Sequence, residues 1–452
     1  MLDKEIKSMK HFCILPWVHL MMHQNGEAMA CCRDGELGHS FGNLKKNSLE
    51  EVWNGEKIRE MRLSLLNDES LSQCRTCYHE EKLGITSLRK SSLENFPQAQ
   101  SITKHTGPDG SLPVDEIKYL GIRLSNECKL KCRTCSPGNS VSWYKDAEFL
   151  SGKKFKGVER LAANYENMLL ILNRPLKTIQ QLYFAGGEPL IQKQHYFLLE
   201  TLIAMGRTDI HLMYNSSLTQ LEYRHWKAVE LWNHFSHVTI DASFDAVGAQ
   251  AEFLRKGSDW KSIENNVKFI EKNARHVKIN VCPTISVMNA FQLPVSISGW
   301  LACGMIKKPG QLKLNLLQFP KYFNLKILNN GERARLKKIL IGYLKLLSSQ
   351  IEPELYRSLE AELSAVITEC DSPQYWAMER KLFRWVTFKL DKLRNEKFLS
   401  LFPEHLELLC DPMPQPQHFE LALPGQTECN LLAESNVVLS KASSGIGMEL
   451  QK

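Results

Sequence analysis

The chain has no uninterrupted apolar run near the roughly 18 residues that cross a bilayer, so nothing in it reads as a membrane helix. Its opening stretch, MLDKEIKSMKHF, lacks the apolar core of a secretory signal, and a cytoplasmic protein is expected. Charge of one sign is scarce. Lys and Arg number 57 against 50 Asp and Glu, and the resulting +7 is too mild to dictate a polyanionic partner. The basic stretches Lys153-Lys154-Phe155-Lys156 and Lys307-Lys308 are short and carry no run of stacking aromatics, which disfavours nucleic acid as a partner. No repeat recurs at solenoid or propeller periods. With 43% hydrophobic and 24% charged residues, a disordered or collagenous chain is excluded, and 452 residues leave room for two or three domains.

What the chain does have is cysteine, 13 in all. Without an export signal these are expected to stay reduced, so the clustered ones read as metal ligands in preference to disulfides. They fall into an early set (Cys13, Cys31, Cys32, Cys74, Cys77), a tight triplet (Cys128, Cys132, Cys135) and five scattered thiols. Between the first two sets, residues 89–116 are polar and rich in Ser, Pro and Gly, the composition of a linker that ends a first domain at residue 88. From residue 117 six short β-branched and aromatic runs alternate with helix-period stretches: 117–124, 179–186, 210–217, 237–245, 277–286 and 312–319. Such alternation predicts parallel strands joined by right-handed crossovers, an α/β fold that six units close only partly into a barrel. Residues 331–410 carry long periodic stretches and are expected as a helical extension packed on that barrel. The tail 411–452 is Pro-rich, then Ser- and Gly-rich, and is expected to be mobile.

Cys128-Lys-Leu-Lys-Cys132-Arg-Thr-Cys135 directly follows the first of the six runs. Three thiolates on one loop can hold three irons of a cubane and leave the fourth open to substrate. A zinc ion completed by a distant His or Cys, or three buried thiols, fits the same spacing. Here the chain resembles the radical S-adenosylmethionine enzymes, whose defining loop is C-x3-C-x2-C after the first strand of a partial (β/α)6 barrel. Gly186-Gly187-Glu188-Pro189 follows the second run as the family's GGEP segment does. The resemblance implies that this segment and Glu188 meet the methionine amino group, and that Asn215 and Ser216, after the third run, approach the ribose. The family's frequent aromatic residue before the third cysteine is replaced by Thr134, which removes an adenine contact and leaves iron ligation untouched. The chemistry implied is one-electron cleavage of S-adenosylmethionine on a 4Fe-4S cluster, giving a 5′-deoxyadenosyl radical that abstracts hydrogen from an unactivated carbon.

The early set reads Cys13-x12-Gly26-x4-Cys31, then Cys74-x2-Cys77. With the intervening GNLKKNSLEEVWN it resembles the SPASM auxiliary-cluster module, or its shorter twitch form, placed before the barrel instead of after it. Four thiolates suffice for a second 4Fe-4S cluster, and a saturated cluster favours an electron-accepting role over substrate binding. Structural zinc fits four cysteines too. Cys32 is a spare thiol on this reading, and His11, His19, His23 and His39 stand near enough in sequence to replace a ligand.

In the run His237–Asp245, alternation puts Thr239, Asp241, Ser243 and Asp245 on one face, toward the barrel interior. Asp245, then Asp241, are the candidates to take a proton from substrate. A helix cap or a contact to S-adenosylmethionine serves either carboxylate equally well, and Ser243 is counted with the cofactor contacts. Arg255 could neutralise one of them. Similarity to the SPASM and twitch group implies a peptide or protein substrate whose side chain is modified, with a low-potential electron donor such as a flavodoxin or ferredoxin. The alternatives are a small metabolite or cofactor precursor as substrate, and a noncatalytic metal protein that binds RNA.

Overall fold

The computed structural model describes residues 6, 8–33 and 39–410; the tail expected to be mobile lies outside the described residues. In the early segment a single helical turn, Leu15–Val18, leads into β1 (His19–Met22), antiparallel to β2 (Glu27–Met29), which in turn pairs with β3 (Gly42–Asn43). Gly26 turns the chain between β1 and β2 at φ +93°, and a Cβ there would lie 2.4 Å from Asn43 Oδ1, so only glycine fits. Ser48 and Glu51 form a reciprocal cap on α1 (Leu49–Trp53), and α2 (Glu56–Leu66) follows, burying Ile58, Met61, Arg62 and Leu65. Next come α3 (Arg75–Lys82) and two short helices, Leu88–Asn95 and Ala99–Thr103, in the stretch expected as a linker.

Arg62 fastens this segment together. Fully buried, it donates to Pro16 O (2.9 Å), Gly110 O (3.0 Å) and Trp53 O (3.0 Å), with its guanidinium 4.5 Å over the Trp53 ring. Arg62→Ala strands three carbonyls and opens a cavity, so a loss of about 3 kcal/mol or more is expected in urea unfolding. A change below about 1 kcal/mol would show that the carbonyls find other donors.

The barrel strands are β4 (Tyr119–Arg123), followed by α4 (Tyr144–Ser151); β5 (Gln181–Ala185) and α5 (Lys193–Ala204); β6 (His211–Ser216); β7 (Val238–Ala242), with α6 (Gly248–Leu254) and α7 (Trp260–Asn273); and β8 (Val277–Val281). Sheet order is β8-β7-β6-β5-β4-β1-β2-β3, and every pair from β8 to β1 is parallel. The early segment is therefore joined to the barrel sheet: β1 extends it beyond the first barrel strand, with His19 opposite Tyr119 and Met22 opposite Ile122.

The sixth expected strand is present in broken form. Val281 donates to Gln311 O (2.7 Å) and Lys313 to Val281 O (3.0 Å), and the ladder resumes as β9 (Thr284–Ile285) beside β10 (Asn315–Leu316). Pro283, which has no N–H to give, sits at the interruption. Along β7 the alternation holds, with Val238, Ile240 and Ala242 buried and Thr239 and Asp241 half-buried on the opposite face.

Residues beyond the barrel form three long helices, α8 (Asn330–Leu347), α9 (Pro353–Cys370) and α10 (Ala377–Arg394). Asn329 and Glu332 cap α8 reciprocally, and the buried Glu332 carboxylate also receives Arg380 of α10 at 2.6 and 3.1 Å. Among the described residues no helix is long and apolar enough to cross a membrane.

Candidate functional site

The triplet loop leaves the end of β4, where strand carboxyl ends collect functional groups in parallel α/β folds. Its main chain is held at several points: Lys131 N–H on Lys256 O (3.0 Å), Arg133 N–H on Leu254 O (2.8 Å), and Trp143 Nε1–H on Cys132 O (2.7 Å). Burial, reinforced by the neighbouring cysteines, raises the Cys128 and Cys135 thiols, the latter to about 12; burial raises Cys132 as well. Thiols raised in this way are poor free nucleophiles, and the set suits metal ligation.

Three arginines secure the loop, Arg133 from within it and Arg255 and Arg394 from beside it. Arg255 places Nη1 3.8 Å from Cys132 Sγ and is gripped by Asp245 through Nε–Oδ2 (2.9 Å) and Nη2–Oδ1 (3.0 Å). Arg133 stacks 4.0 Å over Phe253 and pairs with Asp391 and with Glu396 (2.8 Å). Arg394, at the end of α10, reaches Asp146 of α4 at 2.7 Å and lies over Trp143. The helical extension thus closes directly on the loop.

The GGEP segment meets the loop from the next strand. Gly186 has φ +82°, and a Cβ on Gly187 would stand 2.2 Å from Glu127 O, so two glycines let the turn press against the residues before Cys128. Gly187 N–H donates to Ser125 O (3.1 Å) and Glu188 N–H to Glu127 O (2.8 Å). The Glu188 carboxylate is buried, receiving Ser216 Oγ–H (2.8 Å), Ser217 N–H (2.9 Å) and Ser217 Oγ–H (2.6 Å). Ser216 accordingly touches Glu188, whereas Asn215 is exposed.

Of the polar residues of the fourth run, Asp241 remains on the β7 face, bonded to Asn280 Nδ2 (2.7 Å) and Lys313 Nζ (3.1 Å). Ser243 donates its N–H to Ser216 O (2.8 Å), and the chain then turns tightly, with Phe244 N–H on Ala242 O (2.9 Å). That turn carries Asp245 off the strand to Arg255 and the Thr284 N–H (2.8 Å).

Glu362 of α9 accepts the Leu314 N–H at 2.7 Å, and burial raises its carboxyl to about 7. Between the ordinary carboxylate range and about 7 the folded chain keeps a proton that the unfolded chain has lost, so its contribution to stability declines as pH rises through that window. Glu362→Gln should therefore gain about 2 kcal/mol over the parent between pH 5 and pH 8, read from unfolding curves at both values. A constant difference between the two proteins would refute this.

Cys13, Cys31, Cys74 and Cys77 line one cavity together with Arg33, Met61 and Arg89. Burial raises Cys13 and Cys77, and Cys74 adds to the effect on Cys13. Cys32 is absent from the lining; it packs near Met21, Met29 and Tyr183 on the barrel side. His11 bonds to Asp68 O (2.9 Å), and His19 to Tyr119 O (3.1 Å). Among the described residues no three His, Cys, Asp or Glu side chains converge as a site for a single metal ion.

Residues 13–78 match the SPASM family, an iron–sulfur cluster-binding domain. The chain is 25% identical over 218 residues to human Molybdenum cofactor biosynthesis protein 1, covering 46% of this chain and 31% of that protein. It is also 25% identical over 168 residues to the GTP 3′,8-cyclase of Syntrophomonas wolfei, covering 36% of this chain and 46% of that one. The chain thus spans less than half the length of these curated relatives. Among solved structures it is similar to Streptococcus suis SuiB bound to precursor peptide SuiA, with 15% identity, 64% of each chain covered and a TM-score of 0.35.

Proposed function

We propose that this chain, a radical S-adenosylmethionine enzyme with an amino-terminal SPASM domain, modifies a side chain of a peptide or protein by hydrogen abstraction from an unactivated carbon. The observation that carries the reading is the meeting, at the carboxyl ends of parallel strands, of three thiols on one loop, Cys132 buried and Cys128 and Cys135 half-buried, with the GGEP turn and Glu188. When bound, the 4Fe-4S cluster and S-adenosylmethionine supply the 5′-deoxyadenosyl radical.

Cys128, Cys132 and Cys135 would hold the catalytic cluster, and Cys13, Cys31, Cys74 and Cys77 the auxiliary one. Glu188, fixed by Ser216 and Ser217, presents a carboxylate beside Cys128 for the cosubstrate's amino group, with Gly186, Gly187 and Pro189 shaping the approach. Asn215 and Ser243 are assigned to the same cofactor's outer contacts. Asp245 acts as a positioning residue, because both its oxygens hold Arg255 against Cys132. Asp241, which bonds to Asn280 and Lys313, is then the remaining candidate to take a proton from substrate. A one-electron donor of low potential, of the flavodoxin or ferredoxin kind, completes the system.

A cofactor precursor as substrate is the second reading, favoured by the curated relatives, whose names refer to cofactor biosynthesis and GTP cyclisation. The test is anaerobic purification followed by a dithionite-driven assay for 5′-deoxyadenosine with candidate peptides and with GTP. Deuterium passing from a labelled peptide side chain into 5′-deoxyadenosine supports the proposal; transfer from GTP alone replaces it, and no cleavage under any condition refutes both.

A further inference from the structure

Three buried polar atoms without a partner gather where the SPASM segment's first turn meets the barrel: His23 Nε2, Gln24 Oε1 and Arg123 Nε. His23 and Gln24 are only 7% and 6% exposed. Their turn is fixed by His23 N–H on Glu27 O and Gly26 N–H on His23 O, both at 2.8 Å. Arg123 ends β4, and its stem is pressed by the GGEP turn, for a Cβ on Gly186 would stand 2.7 Å from Arg123 Cβ. The two sides are tied to adjacent residues just past Cys135: Gln24 Nε2–H donates to Gly138 O (2.5 Å), and Arg123 Nη1–H to Asn139 Oδ1 (3.2 Å).

Arg123 faces an amide where its charge calls for an anion. Asn139 is the side-chain acceptor it bonds to among the described residues; Arg255 lies 3.8 Å from Cys132 Sγ, and both arginines act electrostatically on Cys135. A guanidinium with part of its fork buried and bonded to an amide and not to a carboxylate is costly, and its planar donors match a carboxylate. His23 cannot supply charge, because burial and Arg123 hold its imidazole at about 3, but it can direct one neutral N–H. Gln24 Oε1 adds an acceptor beside these donors.

We propose that Arg123, His23 and Gln24 form a recognition subsite for a carboxylate with a neighbouring N–H, the pattern offered by a chain-terminal or N-acylated amino acid. The chemistry has two sources: the substrate, or the methionine end of S-adenosylmethionine. The subsite rests on the radical-enzyme reading for its role, whereas binding to it needs no turnover.

The test uses the anaerobically purified, cluster-loaded full chain, titrated calorimetrically with N-acetylglycine, with neutral N-acetylglycinamide and with S-adenosylmethionine. Saturable binding of the acid is expected, at least about tenfold tighter than the amide and weakened about tenfold by Arg123→Gln. Asn139→Asp keeps the side-chain shape and puts a carboxylate on Arg123, so it should block the acid equally while leaving the fold intact. Unchanged S-adenosylmethionine affinity in both variants assigns the subsite to the substrate; a parallel loss assigns it to the cosubstrate.

Equal binding of acid and amide, no saturable binding by the parent, or parental binding by Asn139→Asp overturns the subsite. If acid binding follows the expected pattern in a chain that makes no 5′-deoxyadenosine, the subsite survives and the proposed activity fails.

Discussion

Alanine at Cys128, Cys132 and Cys135 together is expected to give a folded chain that keeps about four of about eight irons and forms no 5′-deoxyadenosine under low-potential reductant. Folding should survive because the loop is fastened by main-chain bonds. The Lys131 and Arg133 N–H groups, the Cys132 carbonyl and the Cys128 carbonyl, which receives Ser142 Oγ–H at 2.8 Å, remain available in the alanine chain. The remaining irons should persist because the cavity of Cys13, Cys31, Cys74 and Cys77 shares no side chain with the loop. The converse variant, Cys74→Ala with Cys77→Ala, should lose the other half of the iron and retain reductive cleavage. Iron and sulfide counts with product chromatography decide the matter. Cleavage by the triple variant, or an unchanged iron count, would show that the loop is not the catalytic ligand set.

How much of this was legible beforehand depended on where the partners lie along the chain. The cysteine loop and the GGEP turn are local patterns whose residues remain neighbours in the fold, and the sequence-based reading carried over to their placement. The joining of β1 to the barrel sheet was not legible. His19-Leu20-Met21-Met22 is buried on every side, so it lacks the alternation that marks a half-exposed strand, and its partner is 100 residues away.

The acidic residues of the fourth run show a different limit. Period-two reasoning places Thr239 and Asp241 correctly on one face, yet it fails once the chain turns at Ser243 and Phe244, a step set by a single main-chain bond. Arg133 illustrates the same point at long range. It sits inside the loop motif, while the carboxylates that hold it come 258 and 263 residues later, on and just beyond α10. The expectation of a helical extension packed on the barrel held no hint that α10 and the turn after it supply these acids.

That dependence of the loop on α10 leads to the second large effect, expected at Asp146. Its carboxylate is 2% exposed, and Arg394, fully buried, reaches it through Nε at 2.8 Å and Nη2 at 2.7 Å while lying over Trp143, whose indole N–H holds the Cys132 carbonyl. Asp146→Ala leaves a guanidinium buried without its anion, which should cost about 3–5 kcal/mol of stability. Because the same step loosens Trp143, it should also lower iron at the triplet while sparing the auxiliary site. Removing both charges, as Asp146→Ala with Arg394→Met, avoids the stranded cation, and that pair should recover most of the lost stability even though the ion pair is gone. Denaturation midpoints for the three proteins, alongside their iron counts, separate the possibilities. If the double variant is no more stable than Asp146→Ala alone, the damage comes from lost packing at α4 and the electrostatic account of how α10 secures the loop is wrong.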